Sequence, residues 1–468
     1  MKQIVIIFWA ILSGFAAICQ DSSSEVVIIS TNDVHGRIDN FSKMAAYVKQ
    51  LKTSYKDVFV FNAGDLFNGN PVVDEALDKG FPIVDLMNDI PYDMSCPGNH
   101  EFEYGEAVMQ QRISQSNSVY VCANINIGPA SPLQTIRPFQ IFRTGDGTTI
   151  AVLGLSASSS NPCIVKNISM QNPVDAALKY SYLRDSADIL IALTHIGLKA
   201  DSNLAAKYKG IDLIVGGHSH SEIPNGMLVN GTLITQAGDK MRFLGKTVLT
   251  IKNHKIVQKT FSMIDINSLT ASDPAVQLKV AGYNNNARLH TIVGYSGTGF
   301  RNKEAIGCLK TDALVSALNL DIAFDHVRNI SYSGFPKGNI TLGDIYEWDS
   351  YDYKTLRYCL TPAEIRQLII NSMKNIKEPV LFVSGINYSI TMNAANGVST
   401  VELKNKNGLL DEKRRYTVGV NSFIACQYMK NIAAIPEELP TTAAIALTQY
   451  FIRHPKVNYQ NVQRVFLR

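Results

Sequence analysis

No Lys/Arg-rich run occurs anywhere in the chain, and 44 basic residues nearly balance 40 acidic ones, for a net charge of +4. That excludes the electrostatic footprint that grips nucleic acid or anionic lipid. After the first 20 residues no apolar stretch approaches the length of about 20 that a membrane-spanning helix needs. Cysteine is sparse: the chain has 7, none in a CxxC pair, which excludes a disulfide-dense scaffold. Gly (31) and Pro (17) stay near average and no repeat is visible, so collagen-like and low-complexity architectures drop out. What is present is apolar material, at 46% of the sequence against 18% charged, enough for real cores over 468 residues. At about 150 residues per domain, two or three domains are expected.

The chain opens on a processing signal. Lys2 precedes an apolar run, Ile4 to Ala17, of about 14 residues, which suits a signal peptide and is short for a membrane span. Residues 1–20 are read as that signal, with ordinary cleavage near Cys19 and Gln20. A lipid anchor on Cys19 is the alternative, although Ile18 is large for the position before a lipidated cysteine. Either way the protein is expected to be exported, to the periplasm or the cell surface. Of the cysteines that remain, Cys96, Cys122, Cys163, Cys308, Cys359 and Cys426, most lie in apolar surroundings and read as buried free thiols. Cys96 and Cys122 each end a strand and form one candidate bridge.

Residues 21–265 read as α/β. Val26–Ser30, Val58–Asn62, Val119–Cys122, Ile150–Leu153, Ile189–Leu193 and Leu213–Val215 are short apolar runs, with helical patterns such as Phe41–Leu51 and Ala176–Arg184 among them. Alternation over 245–265 predicts a closing hairpin. Residues 266–290 read as a linker helix starting at Asp273-Pro274, and 291–468 as a second α/β domain.

The chemistry sits at strand ends. Asn32-Asp33-Val34-His35-Gly36 follows the first apolar run and Gly64-Asp65 the second; Gly98-Asn99-His100-Glu101 precedes a helix; Thr194-His195 ends the fifth run; and Gly216-Gly217-His218-Ser219-His220 follows the sixth. Carboxyl ends of parallel strands converge on one edge, where ligands bind. Five of the chain's 9 histidines lie in these motifs. Seven nitrogen and oxygen donors without a thiolate argue against a structural cysteine-type zinc site and suit Zn, Mn, Fe or Co, with Mg or Ca also compatible. Seven donors exceed one tetrahedral shell and fit two divalent ions sharing a carboxylate, an arrangement that polarises phosphoryl oxygens and supplies hydroxide at neutral pH.

The ordered motifs TNDVHG (31–36), GD (64–65), GNHE (98–101), TH (194–195) and GGHSH (216–220) resemble those of calcineurin-like metallophosphoesterases, and the wording around them resembles the exported 5′-nucleotidase family. The resemblance implies a four-layer α/β/β/α metallophosphoesterase sandwich followed by a smaller 5′-nucleotidase C-terminal-type α/β domain. It implies that Asp33, His35 and His220 hold one ion, Asn99, His195 and His218 the other, and that Asp65 bridges. His100, with Asn99, corresponds to the group that steadies the transferring phosphoryl. Glu103 stands where the family has an aspartate orienting that histidine. In the second domain, Phe423 and Tyr351 are implied as two rings sandwiching a base, and Arg328 as a substrate contact. Two departures thin that side: the glycines before Arg328 are missing, and Gln427-Tyr428-Met429 lacks the family's aspartate.

The resulting expectation is an exported two-metal phosphoesterase that hydrolyses 5′-nucleotides to nucleosides and phosphate by attack of metal-bound hydroxide. Its partner is a small phosphate ester, with no nucleic acid and no transmembrane span. Two alternatives remain: 2′,3′-cyclic nucleotide phosphodiesterase or UDP-sugar diphosphatase activity at the same site, and a surface nucleotide-binding module without turnover.

Overall fold

The computed structural model describes residues 23–157, 166–330, 334–351, 353–374, 376, 378–393 and 397–468. The signal-peptide reading of 1–20, the Cys19 anchor and Cys163 lie outside the described residues.

Two six-stranded sheets make the N-terminal half. In the first, Ser24–Thr31, Asp57–Asn62, Met94–Ser95 and Val119–Tyr120 run parallel, and the hairpin Phe243–Lys252/Lys255–Asp265 joins antiparallel on the other side of Ser24–Thr31. In the second, Thr149–Ser156, Ile189–His195, Leu213–Val215 and Thr232–Thr235 are parallel, with antiparallel strands at both edges.

The layering follows from strand alternation. Successive side chains point to opposite faces of a sheet. Val26 and Ile28 face the second sheet together with Ile150, Val152, Ile189 and Ile191, while Val27 and Ile29 face the helices Phe41–Ser54 and Phe81–Asp89. On the second sheet, Ala151, Leu153, Leu190 and Ala192 face outward onto Pro173–Lys179 and Leu198–Lys207. Both faces of both sheets are covered, giving a four-layer α/β/β/α sandwich. That is why the strands read as unbroken apolar runs rather than alternating ones.

The linker segment holds the helix Pro274–Asn284, capped by the Asp273 side chain accepting from the N–H of Ala275 and Val276. It does not stand free. Val276 and Val280 join the core under Phe41–Ser54, and Tyr283 donates to Asp85. The C-terminal half is built on a five-stranded sheet in the order Leu381–Ser384, Ile322–His326, Tyr416–Asn421, Lys354–Leu360, Glu437–Thr442. Ile322 and Phe324 face one core with Pro362–Ser372, and Ala323 faces the other with Lys303–Leu318 and Ala443–Arg453. The two halves touch through an Arg37–Glu347 ion pair and through Arg288, which reaches Glu75 and lies over the Tyr346 ring.

Three local expectations change. The stretch 176–184 is not one helix. Asn172 caps Pro173–Lys179 early, and Tyr180 and Tyr182 leave the helical path to pack against Phe139 before the short Leu183–Ser186. Cys96 and Cys122 are buried free thiols, bonded instead to Leu155 O and to Asn124 Oδ1. Cys426, read as a free thiol, is disulfide-bonded, and Cys359 is exposed.

Candidate metal centre

The two parallel sheets deliver their carboxyl ends to one place. Asp33 N donates to Gly64 O, His35 N to Asp65 O and Gly36 N to Leu66 O, so the loops after the first two strands are zipped together. His218 N, from the second sheet, donates to the Asp33 carboxylate at 3.0 Å, and Lys240 N closes on Asp33 O at 2.7 Å. Tight turns at the strand ends force unusual backbone. Asp33, His35, Asp65, His218 and His220 all have φ between 50° and 78°. For non-glycine residues such values cost about 1 kcal/mol or more each and concentrate at functional sites.

All seven expected donors are brought together. Asp33, His35 and His220 form one group, and Asp65, His195 and His218 another, with donor atoms inside each group within 4.8 Å of one another. Asn99 Oδ1 is 2.8 Å from His218 Nδ1. Asp65 stands between the groups, 3.0 Å from His195 Nε2 through Oδ2 while Oδ1 accepts from His100 N.

The donor set fits a cation. Ala63 O and Asn68 O accept only, so His195 Nδ1 and His35 Nδ1 are their donors, at 2.7 and 2.9 Å. Asp239 takes His220 Nδ1 in the same way at 3.4 Å. Each ring then turns Nε2 inward. His195 Nε2 is fully buried and faces Asp65 Oδ2, and His35 and His220 face each other Nε2 to Nε2 at 3.3 Å. Burial opposes charge on Asp33 and Asp65. Even so, the His220 hydrogen bond and the His195 charge hold Asp33 low, and the His195 charge above all holds Asp65 low. In return, against their own burial, Asp65 lifts His195 to about 10, and Asp239 and Asp33 lift His220 to about 10. The two carboxylates thus draw positive charge into the cage, as protons on the bare imidazoles or as a cation in their place.

His100 lies at the mouth, its Nε2 3.9 Å from Asp65 Oδ2. Glu103 Oε1 is 3.9 Å from His100 Nδ1, facing it but beyond hydrogen-bond distance. Burial outweighs the nearby carboxylates and lowers His100 to about 4, which favours its neutral form. Arg328, Tyr351 and Phe423 reach the same cleft of about 260 Å³, beside Asp65, Asn99, His100, His218 and His220. They do not form an open two-ring slot. Tyr351 stacks on His100 at 5.3 Å, Tyr353 on Tyr351 at 5.2 Å and on Phe423 at 6.0 Å, so Tyr353 joins the two rings expected to face each other.

Three residues escaped the sequence reading. Glu101, part of the quoted GNHE, accepts the N–H groups of Asp65, Leu66 and Gly98 and ties two donor loops together. Asp239 follows the strand Thr232–Thr235, so the strand-end rule could have found it. Tyr353 carried no signal beyond being aromatic.

Residues 26–222 match the family model for calcineurin-like phosphoesterases, and residues 285–429 match that for the 5′-nucleotidase C-terminal domain. Residues 26–222 thus form a calcineurin-like phosphoesterase domain. The chain is similar to the trifunctional nucleotide phosphoesterase protein YfkN of Bacillus subtilis, at 26% identity over 86% of this chain and 32% of that protein. It is also similar to a 5′-nucleotidase of Vibrio cholerae, at 28% identity over 53% of this chain and 52% of that one. The chain spans 32%, 39% and 61% of the length of three curated relatives it matches. Its fold is that of the 5′-nucleotidase precursor from Thermus thermophilus, with a TM-score of 0.80 at 20% identity, covering 95% of this chain and 99% of that one.

Proposed function

We propose that this protein is an exported, two-metal phosphoesterase that hydrolyses 5′-nucleotides to nucleosides and phosphate. The observation that carries the reading is the convergence of seven nitrogen and oxygen donors from five segments, with the Nε2 atoms of His35, His195 and His220 turned inward. Asp33, His35 and His220 would hold one divalent cation, Asn99, His195 and His218 the second, and Asp65 would be shared. When bound, such a pair neutralises phosphoryl oxygens and makes hydroxide available near neutral pH.

The chain's own groups do the rest. His100, neutral and at the mouth of the cage, offers Nε2–H to a phosphoryl oxygen that gains charge in the transition state. Tyr351 covers its ring face and keeps water from it. Arg328, Tyr351 and Phe423 line the side from which an ester's organic group leaves. Export is supported by the Ile4–Ala17 run and by the disulfide at Cys426, which suits an oxidising compartment. Among the described residues no helix is long and apolar enough to cross a membrane.

The test is turnover of p-nitrophenyl phosphate, AMP, 2′,3′-cyclic AMP and a UDP-sugar by purified protein with Mn²⁺, beside His195→Ala and Asp65→Ala. The expected result is AMP hydrolysis by the wild type and a loss of at least about a hundredfold in both variants. Equal rates in wild type and variants refute the metal assignment; a preference for the cyclic ester or the UDP-sugar refutes the nucleotidase reading.

A further inference from the structure

The C-terminal wall of the cleft consists of Arg328, Asn329, Tyr351, Tyr353 and Phe423. These residues come from three separate segments, and all three are tied, directly or through Asp325, to one buried ammonium group that does not itself line the cleft. Lys310 lies in the helix Lys303–Leu318, in a run of buried neighbours from Ala305 to Thr311, and its side chain is 0% exposed. Its Nζ pairs with Asp325 Oδ2 at 2.7 Å and Asp349 Oδ1 at 3.0 Å, and donates to Asn329 O at 3.2 Å and Trp348 O at 3.1 Å.

Each contact anchors a stretch of the wall. Asp325 Oδ1 accepts from His326 N, from Asn329 Nδ2 at 3.0 Å and from Asn421 Nδ2 at 3.0 Å. Lys310 and Asp325 together therefore fix 325–329, which carries Arg328, and 421, two residues before Phe423. Trp348 and Asp349 immediately precede Ser350-Tyr351, and Asp349 Oδ2 also accepts from Ala444 N at 2.8 Å. The two carboxylates keep Lys310 charged despite its burial.

Stability alone does not call for such a group. Replacing a buried ion network with well-packed apolar side chains is often neutral or stabilising. What the ammonium supplies is direction: four oxygens on two segments, each at a fixed distance from one point, with the third segment held through Asp325.

We infer that Lys310 is a positioning residue for the organic side of the substrate: by tying residues 325–329, 348–349 and, through Asp325, 421 to one buried charge, it holds Arg328, Tyr351, Tyr353 and Phe423 in register with the metal cage. The inference rests on the phosphoesterase reading of the same cleft. It assigns Lys310 to ester affinity and not to phosphoryl chemistry.

Lys310→Met alone leaves two buried carboxylates without a counter-charge and is expected to unfold readily. The decisive protein is therefore Lys310→Met combined with Asp325→Asn and Asp349→Asn, which removes all three charges and keeps the shape. Melting temperature and bound Mn²⁺ establish that it is folded and loaded. Two constants are then compared with wild type: KM for AMP, and Ki for inorganic phosphate, which lacks the organic group. The expected result is a rise in KM of about tenfold to a hundredfold, as for a binding wall misplaced by about 1 Å, with Ki and kcat within about threefold. An unchanged KM in the folded triple variant overturns the inference, and so does a parallel rise in KM and Ki. A wild type that turns over p-nitrophenyl phosphate but no nucleotide refutes the nucleotide reading alone, and the same comparison then uses that ester. A wild type inert toward every ester refutes the phosphoesterase reading and takes this inference with it.

Discussion

Gly98 is the most sensitive steric point of the metal cage. An alanine Cβ there would stand 2.2 Å from Asp65 Oδ1, 2.6 Å from Asp65 N and 2.8 Å from Asp65 Cγ. Its φ lies outside the left-handed region, so the backbone itself accepts alanine and the perturbation is purely one of contact. Ordinary contact begins at 3.4 Å, so Asp65 Oδ1 must retreat by about 1 Å. It has nowhere to go. Oδ1 accepts from His100 N at 2.9 Å, Oδ2 lies 3.0 Å from His195 Nε2, the backbone N is held by Glu101 and the carbonyl by His35 N. Overpacking of this kind costs about 1–3 kcal/mol. At about 2–4 °C per kcal/mol for domains of this size, the melting temperature falls by about 2–12 °C. The larger effect is chemical, because a misplacement of about 1 Å at a reacting centre costs about a hundredfold in rate. Gly98→Ala is therefore expected to lose about a hundredfold in kcat/KM for p-nitrophenyl phosphate and to bind Mn²⁺ more weakly. Gly282→Ala, in the helix Pro274–Asn284 with nothing within 4 Å of the new Cβ, is the matched control and should keep full activity. Activity and Mn²⁺ titration of Gly98→Ala within twofold of that control refute the placement of Asp65 as the shared ligand.

Asp239→Asn weakens the hold on His220 Nδ1 and is expected to lower Mn²⁺ affinity by about 10–100-fold, with most of the rate restored at saturating metal; an unaltered titration counts against that role. Asp74 is buried and its carboxyl is pushed up to about 6, burial outweighing the Tyr104 hydrogen bond and the Gly69 and Asn70 N–H groups. Its folded value exceeds its unfolded one, so the native state binds the extra proton and wild-type stability falls as pH rises from about 4 to about 6. Asp74→Asn lacks this loss and should gain about 3 kcal/mol on wild type between pH 4 and pH 7, and denaturant unfolding curves that shift in parallel over that range refute the assignment.

The N-terminal half was legible because its physics is local. A strand covered on both faces has no polar side, so Val26–Ile29 and Ile189–Leu193 announce themselves as apolar runs, and the polar residues that follow mark the strand ends where ligands gather. Parallel topology then does what sequence distance hides. His195 and His218 come from the second sheet and Asp33 and Asp65 from the first, and one shared edge brings them within bonding distance. The C-terminal wall was harder to read because its determinants are relations rather than residue types. Tyr351 and Tyr353 are chemically alike and two positions apart; only the path of the chain between Asp349 and Lys354 makes one stack on His100 and the other bridge to Phe423. Lys310 is the extreme case. Within the helix Lys303–Leu318 it looks like a solvated charge, and neither Glu304 nor Asp312, the acids of that helix, stands at the three- or four-residue spacing of a partner. Its carboxylates lie 15 and 39 positions away, on a strand end and a helix end that meet only once the sheet has formed. A charge buried with two opposite charges is costly to place and unnecessary for packing. Where one nonetheless holds the segments of a binding wall, the wall's geometry is what removing all three charges together should disturb first, ahead of the fold.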